Sequence, residues 1–418
     1  MVRPLAPADA GAARGARPLP DHPTPATDAP GDGPEKIGDL AAGAGIRRIH
    51  VLAWRDLDDV EAGGSELHAH EVCREWAAAG LEVTCRTSFA QGHPPDVVRD
   101  GYRVRRKAGR YLVFPRSVAA ELAGRHGPRD ALVEIWNGMP FLSPLWARGP
   151  RITFLHHVHA EMWKMVLPPR LARMGDLLER RIAPPLYRHS RIVTLSESSR
   201  ADMARLLHPP PDRVDVVPPG ISPRFRPGVE SATPLVVAVG RLVPSKHVDQ
   251  LVHAAARARL RVPGLRLVVV GEGYERLQVE AAVDAVDGRG WVELPGRVGD
   301  DELVALYQQA WVLASASSHE GWGMSITEAA ACATPAVVTD IAGHRDAVVD
   351  GVTGRLVRAS DHTVPERLGD ALADVLADDA ARRRMSQAAA DHAARFTWRA
   401  TATQLMAILA DEAARRNP

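Results

Sequence analysis

The chain alternates short apolar runs with glycine turns and helical spacings, and it does so twice. Runs at residues 49–53 (IHVLA), 81–87, 131–136, 151–155, 191–195 and 214–217 read as strands, with a further strand at 102–106. The pattern then breaks at 218–233, where Pro218, Pro219, Gly220, Pro223, Pro227 and Gly228 crowd together. It restarts with 234–239 (PLVVAV), followed by 265–270, 291–294, 311–314 and a last core strand at 334–339. Strands separated by helices build a parallel sheet, because parallel neighbours need a crossover. The expected fold is therefore α/β, with two Rossmann-like parallel-sheet domains at 46–218 and 234–395. A length of 418 residues is ample for two such cores. Ligands of such sheets bind beyond the strand carboxyl ends, so those loops are where chemistry is sought.

Residues 1–45 are mostly Ala, Pro, Gly and Asp, with few large apolar side chains to offset ordering entropy, and read as a disordered tail. Helices are expected at 65–79, 117–125, 301–309, 364–377 and 381–395, and in 168–188 with an interruption at Pro184-Pro185. Others follow Ser196 or Ser198, Lys246 and Tyr274. Residues 396–418 form a separate amphipathic helix, expected to return to the first domain. Lys plus Arg total 52 against 51 for Asp plus Glu, so no global field favours nucleic acid. Cys73, Cys85 and Cys332 are odd in number and form no CxxC pair, which favours a reducing cytoplasm. No apolar run approaches the ~20 residues of a membrane span, and the first residues carry no h-region of a secretory signal.

Residues 318–328 (SHEGWGMSITE) hold two carboxylates, Glu320 and Glu328, with Gly321 and Gly323 beside the first. In one continuous helix, eight residues at about 100° would leave the carboxylates about 80° apart. A loop turning into a helix near Met324 fits better, since both glycines permit unusual backbone and the following residues favour helix. The first N–H groups of that helix, around Gly323, Met324 and Ser325, are unpaired within it and favour a phosphate. Hydroxyls at both ends of a ligand would then meet Glu320 and Glu328, as in a nucleotide-sugar.

Arg241 and Lys246 flank a strand-to-helix turn and can place two cations on one diphosphate. Gly271 and Gly273 lack the third glycine of a dinucleotide fingerprint, with Arg276 in its place, and read as a turn. Gly63-Gly64, before the first helix, is either a tight turn or a close backbone approach to a ligand. His156, His157, His159 and Glu161 follow the strand at 151–155. Their alternation lacks the i, i+4 spacing of a helical zinc site, so no metal is expected. His157 and His159 read as structural and His156, first after the strand, as functional. Six arginines between Arg170 and Arg191 form either a solvated face or a surface for membrane or acidic acceptor.

These residues resemble the retaining glycosyltransferases of family 4. The second half carries the likeness in GRLVPSKHVD from Gly240, GEGYE from Gly271, PGRV from Pro295, HEGWGMSITEAAACATP from His319 and DGVTGRLV from Asp350. AGGSELHAHE from Ala62 and TFLHH from Thr153 carry it more loosely in the first. The resemblance implies the GT-B fold, two domains facing a central cleft. It implies that Arg241 and Lys246 bind the donor diphosphate with backbone amides near Gly323, Met324 and Ser325, and that Gly64 approaches from the other domain. Glu328 would accept from the ribose, Glu320 would lie against the donor sugar, and His156 would face it. Ala333 stands where glycine is usual, residues 343–346 replace a GGxPE-like turn, and the loop 54–62 is long.

The implied activity is transfer of a sugar from a nucleotide-diphosphate sugar to an acceptor hydroxyl with retention, needing no metal and no other cofactor. The acceptor is a small molecule or a lipid-linked or envelope glycan, with the enzyme in the cytoplasm or at the inner face of the membrane. Three other readings are a metal-binding DxD at Asp56-Leu57-Asp58, a pyridoxal-phosphate phosphorylase, and a catalytically silent sugar- or nucleotide-binding scaffold.

Overall fold

The computed structural model describes residues 34–160, 163, 168–360 and 362–416. The first sheet contains β1 (Arg48–Leu52), β2 (Glu82–Thr87), β3 (Asp96–Arg99), β4 (Tyr102–Arg106), β5 (Ala131–Ile135), β6 (Arg151–Phe154), β7 (Arg191–Thr194) and β8 (Val214–Val216). Their order is β3-β4-β2-β1-β5-β6-β7-β8, parallel except that β3 runs against β4. The second sheet contains β9 (Leu235–Val239), β10 (Arg266–Val270), β11 (Val292–Gly296), β12 (Val312–Ser315), β13 (Ala336–Thr339) and β14 (Gly354–Val357). Its order is β11-β10-β9-β12-β13-β14, all parallel. The near-continuous aliphatic runs follow from burial on both faces. Val236 and Ala238 join a core with Leu251, Val252, Leu368 and Leu372, whereas Val237 joins Tyr307, Ile326 and Ala329 on the opposite side.

Strand order reverses at β1, between β2 and β5, and at β9, between β10 and β12. A crevice opens beyond the carboxyl end of each. The loop after β1 leads to Gly63-Gly64, and the loop after β9 begins with Gly240-Arg241. The two carboxyl edges face each other: a Cβ on Gly321, in the second domain, would stand 2.9 Å from the carbonyl oxygen of His156 in the first. Asp346 extends the contact by accepting from the amides of Glu197 (3.1 Å) and Ser198 (3.4 Å), at the start of the helix Glu197–Leu206.

The chain crosses between domains twice, and the crossings touch. Ile221 donates its amide to the carbonyl of Phe396 at 3.1 Å, and a Cβ on Gly220 would lie 2.1 Å from the amide nitrogen of Trp398. Only glycine lets these backbones pass so closely. The final helix, Trp398–Arg416, packs on the first domain, where Ala402, Leu405, Met406 and Leu409 share a core with Ile49, Val72 and Trp76.

Several expectations are corrected. The tail expected through residue 45 is helical over Pro34–Gly43, because Ile37, Leu40 and Ala41 make one apolar face; Ile37 and Ala41 are buried in the core shared with the final helix. Residues 1–33 lie outside the described residues. β3 was unforeseen, although Asp100-Gly101, both at positive φ, mark the tight β3–β4 hairpin. β14 follows the strand expected to be last, and a helix Ala342–Ala347 occupies the altered turn. The expected break at Pro184-Pro185 does not occur: the helix Pro169–Leu177 passes through a π turn, Leu178–Ile182, into Ala183–Tyr187. The π turn's wider hydrogen-bond spacing accommodates residues that cannot donate. After Pro244 a 3₁₀ turn reaches Lys246, His247 turns left-handed, and the α-helix begins at Val248 rather than Lys246.

Candidate functional site

Arg241 projects from the turn after β9, exposed in the cleft, with its Nε 3.8 Å from where a Cβ on Gly63 would stand. Among the described residues it forms no ion pair. The Gly271-Glu272-Gly273 turn holds this loop from below: a Cβ on Gly271 would meet the oxygen of Gly240 at 1.9 Å, and one on Gly273 that of Leu242 at 2.1 Å. These glycines thus serve backbone packing. Lys246 ends the 3₁₀ turn, crosses Gly240 with its Cε 3.6 Å from that residue's Cβ position, and pairs with Glu320. Ser317 Oγ donates to the same Glu320 oxygen at 3.1 Å. Burial opposes ionisation of Glu320, but Lys246 and the hydroxyl outweigh it and hold its pKa below the ordinary value.

The helix Met324–Ala331 begins where the sequence predicts, after Gly323 at φ 95°, a conformation that suits glycine. Ile326 is the first residue whose amide finds a carbonyl in the turn, that of Gly323 at 2.9 Å, so the amides of Met324 and Ser325 stand at the open end. Opposite begins the helix Gly64–Ala78, whose first residue comes so near that a Cβ on Gly64 would sit 2.9 Å from Met324 Sδ. Two helix amino termini, one from each domain, therefore meet across the cleft beside Arg241. Each carries a partial positive charge. On the first domain, Glu66 accepts from the amide of Gly63 (2.9 Å) and from Arg55 Nε (3.2 Å), fixing that entrance.

One turn further in, Glu328 accepts from the hydroxyl of Tyr307 at 3.0 Å. Burial pushes its pKa up to about 7, against the pull of that hydrogen bond. His156 follows β6 as anticipated, but its imidazole lies buried against His68, with Nε2 3.2 Å from His68 Nδ1. Burial lowers its pKa to about 4, so it is neutral near pH 7, and its Nδ1 has no hydrogen-bond partner. The expectation that His157 and His159 are satisfied structural histidines fails for both, because His157 Nε2 and His159 Nδ1 are likewise buried without a hydrogen-bond partner. His157 stacks on His159 (4.7 Å between centroids) and meets His319 of the second domain edge-on (5.4 Å). His159 is fixed by Glu179, which accepts from its amide at 2.9 Å. Glu161 lies outside the described residues.

The structure thus gathers Gly64, Arg241, Lys246, Glu320, Gly323, Met324 and Ser325 about one crevice, with Glu328 on the inner side of the same helix. His156 joins through its backbone, which lies against Gly321. Sequence reasoning missed His68, His319, Tyr307 and Ser317; His319 alone carried a local signal, its position next to Glu320. It also missed Ser196 and Ser199, whose hydroxyls donate to the carbonyl of Gly321 at 3.0 and 3.2 Å. Asp56 and Asp58 are each paired with Arg99 and Arg106, whose charges oppose a metal there. Away from this crevice, Glu121 accepts from His50 (2.9 Å), His126 (2.6 Å) and Arg129 (2.9 Å) in a self-contained polar cluster.

Residues 62–225 match the family described as Glycosyltransferase Family 4, and residues 223–392 match Glycosyl transferases group 1. The chain is 36% identical to a D-inositol 3-phosphate glycosyltransferase of Corynebacterium efficiens over 249 residues, 52% of this chain and 56% of the relative. It thus spans little more than half of that relative. A protein of the same name from Segniliparus rotundus is 27% identical over 87% of each chain. The structure of HepE from Anabaena, solved with UDP and glucose, shares the fold, with a TM-score of 0.67 over 86% of this chain and 98% of that one at 16% identity. Between them the two family matches take in residues 62–392, and the chain belongs to glycosyltransferase family 4, with the GT-B arrangement of two facing domains.

Proposed function

We propose that the chain transfers a sugar from a nucleotide-diphosphate sugar to an acceptor hydroxyl, with retention and without a metal. The observation that carries this reading is the convergence of Arg241 with two opposed helix amino termini, those at Gly64 and Met324. In the reaction the bond from the anomeric carbon to the diphosphate oxygen breaks and a bond to the acceptor oxygen forms on the same face. The acceptor proton passes to the departing phosphate. Negative charge therefore grows on the diphosphate, where Arg241, Lys246 and the amides of Met324 and Ser325 stabilise it most in the transition state.

Glu320 holds Lys246 in place and borders the donor sugar, and Glu328 accepts from the ribose hydroxyls in competition with Tyr307. The Nδ1 of His156 is unpartnered but buried, so it reaches a sugar hydroxyl only if the bound donor displaces the groups that cover it. The relatives' name makes D-inositol 3-phosphate the first acceptor to assay. A lipid-linked glycan is the other class, and would bring a cytoplasmic enzyme to the inner face of the membrane. No helix among the described residues is long and apolar enough to cross one.

The test is a thermal-shift panel of UDP, GDP, ADP and their sugars, since a ligand of the folded state raises its apparent stability. One nucleotide family is expected to raise the melting temperature without added metal, and to fail with Arg241→Ala. A panel with no shift, or a shift that needs a divalent ion, overturns the reading.

A further inference from the structure

We propose that the outer face of residues 169–182, on the first domain beside the cleft, docks on an anionic lipid bilayer. The inference rests on the glycosyl-transfer reading only for what it implies about the acceptor. The inner positions Ala172, Glu179 and Ala183 are buried. Outward point Leu171, Met174, Leu177 and Ile182, exposed at 46%, 62%, 51% and 48%. A helix resting on its own domain turns its apolar stripe inward, and here a second stripe faces solvent. Arg170, Arg173, Arg180 and Arg181 are exposed beside it. Of the two acids in the stretch, Asp176 pairs with Arg180, and Glu179 is turned inward. An apolar stripe edged by cations with so little opposing charge suits a helix lying in an anionic headgroup layer.

The inner side of the same segment builds a wall of the cleft. Glu179 accepts from the amides of His159 (2.9 Å) and Ala160 (3.1 Å) and from Trp163 Nε1 (3.0 Å). A Cβ on Gly175 would strike the Trp163 ring at 2.8 Å, and that ring packs 5.0 Å from His159 between centroids. His159 stacks on His157, which meets His319 beside Glu320. Docking by the outer face would thus bring the first-domain wall of the cleft to the lipid surface. The acceptor class this implies is a hydroxyl on a lipid-anchored headgroup or glycan.

The experiment is co-sedimentation of the full chain with phosphatidylcholine vesicles, with and without added phosphatidylglycerol, together with melting curves and sedimentation velocity. Binding is expected only with phosphatidylglycerol, weakening as salt rises. Arg173→Gln and Arg181→Gln should each lower partitioning about fivefold, and Met174→Glu with Leu177→Glu should abolish it with melting unchanged. Absence of wild-type binding to anionic vesicles overturns the proposal, as does binding that survives both sets of variants. A wild-type dimer that the glutamate pair turns into monomers, with no vesicle binding, would assign the face to a second copy instead. Donor-induced thermal shifts are read on the same proteins, so failure of the donor site is seen separately from failure of the docking face.

Discussion

The two walls of the cleft are built on different principles. On the second domain the charged groups are already partnered, Lys246 with Glu320, Ser317 with Glu320 and Tyr307 with Glu328, and neutral His319 and His344 beside them each keep one unpartnered ring nitrogen. On the first, His156 and His157 are buried, neutral and short of hydrogen bonds, and burial is the main cause of their lowered pKa values. A wall fixed before the ligand arrives stabilises charge without reorganising, which suits a leaving diphosphate. Neutral, unsatisfied nitrogens can instead donate to or accept from hydroxyls, which suits a sugar. Arg241 breaks the pattern, forming no ion pair among the described residues where the phosphate charge is expected.

That exception gives the sharpest way to break the comparison. Arg241→Ala and Lys246→Ala should each lower kcat about 10²–10³-fold, the loss of ~3–4 kcal/mol typical of one preorganised electrostatic group. Melting should separate them. Arg241 is exposed and forms no ion pair among the described residues, so its removal should change stability by no more than ~0.5 kcal/mol. Lys246→Ala leaves the Glu320 carboxylate without its cation and should cost ~1–3 kcal/mol. Adding Glu320→Gln should return much of the stability and none of the activity. Near-normal turnover by Arg241→Ala would end the assignment of the diphosphate site.

The next effect concerns how the walls meet. A methyl on Gly321 would meet the His156 carbonyl, which is backbone at the end of β6, whereas a methyl on Gly64 would meet the flexible tip of Met324. Gly321→Ala should therefore part the walls and lower kcat by roughly 10²-fold, the scale of a ~1 Å misplacement. Gly64→Ala should lower it less than tenfold, because Met324 can rotate away. Equal losses in the two variants would mean that the domains do not close on this contact.

What the sequence disclosed follows from how local each signal is. The alternation of aliphatic runs and helices was legible because parallel strands are buried on both faces, and the start of the Met324 helix because Gly321 and Gly323 precede a run of helix formers. The helix Pro34–Gly43 was not, since its stripe of Ile37, Leu40 and Ala41 gains meaning only against the final helix. Likewise His68 lies 88 residues from His156, and Tyr307 lies 21 from Glu328, so only the folded chain pairs them. Arg241 and Gly64 were legible as single residues near turns; their approach across the cleft was implied by the family resemblance and not by spacing.

Glu328 tests the donor wall through pH. Its pKa, raised from 4.5 to about 7 by burial, means that the folded chain holds a proton there that the unfolded chain releases. This contribution to stability is complete below about pH 4.5 and is lost as pH rises toward 7. Ribose hydroxyls donate best to the charged form, so donor affinity should change in the opposite sense, rising about tenfold as pH passes through 7. Glu328→Gln should flatten that rise. Tyr307→Phe removes a donor to the carboxylate and should move its midpoint upward by roughly half to one unit. Calorimetric titration of the nucleotide at several pH values checks both, and a flat wild-type profile would remove Glu328 from the ribose site.

The smallest effect lies at the far end of the same helix and should leave both walls alone. Ala333 stands at φ 63°, with its amide on the carbonyl of Ala330 and the Thr334 amide on that of Ala329, both at 2.9 Å. This is the closing turn in which glycine is usual, because a Cβ is strained at that φ. Ala333→Gly relieves ~1–2 kcal/mol of left-handed strain. It also loosens the unfolded chain by ~0.4–1 kcal/mol, leaving a net gain of roughly 0–1.6 kcal/mol. Melting should rise slightly with kcat and donor affinity unchanged. A change in either constant would mean that the carboxyl end of this helix, as well as its amino end, sets the geometry of the donor wall.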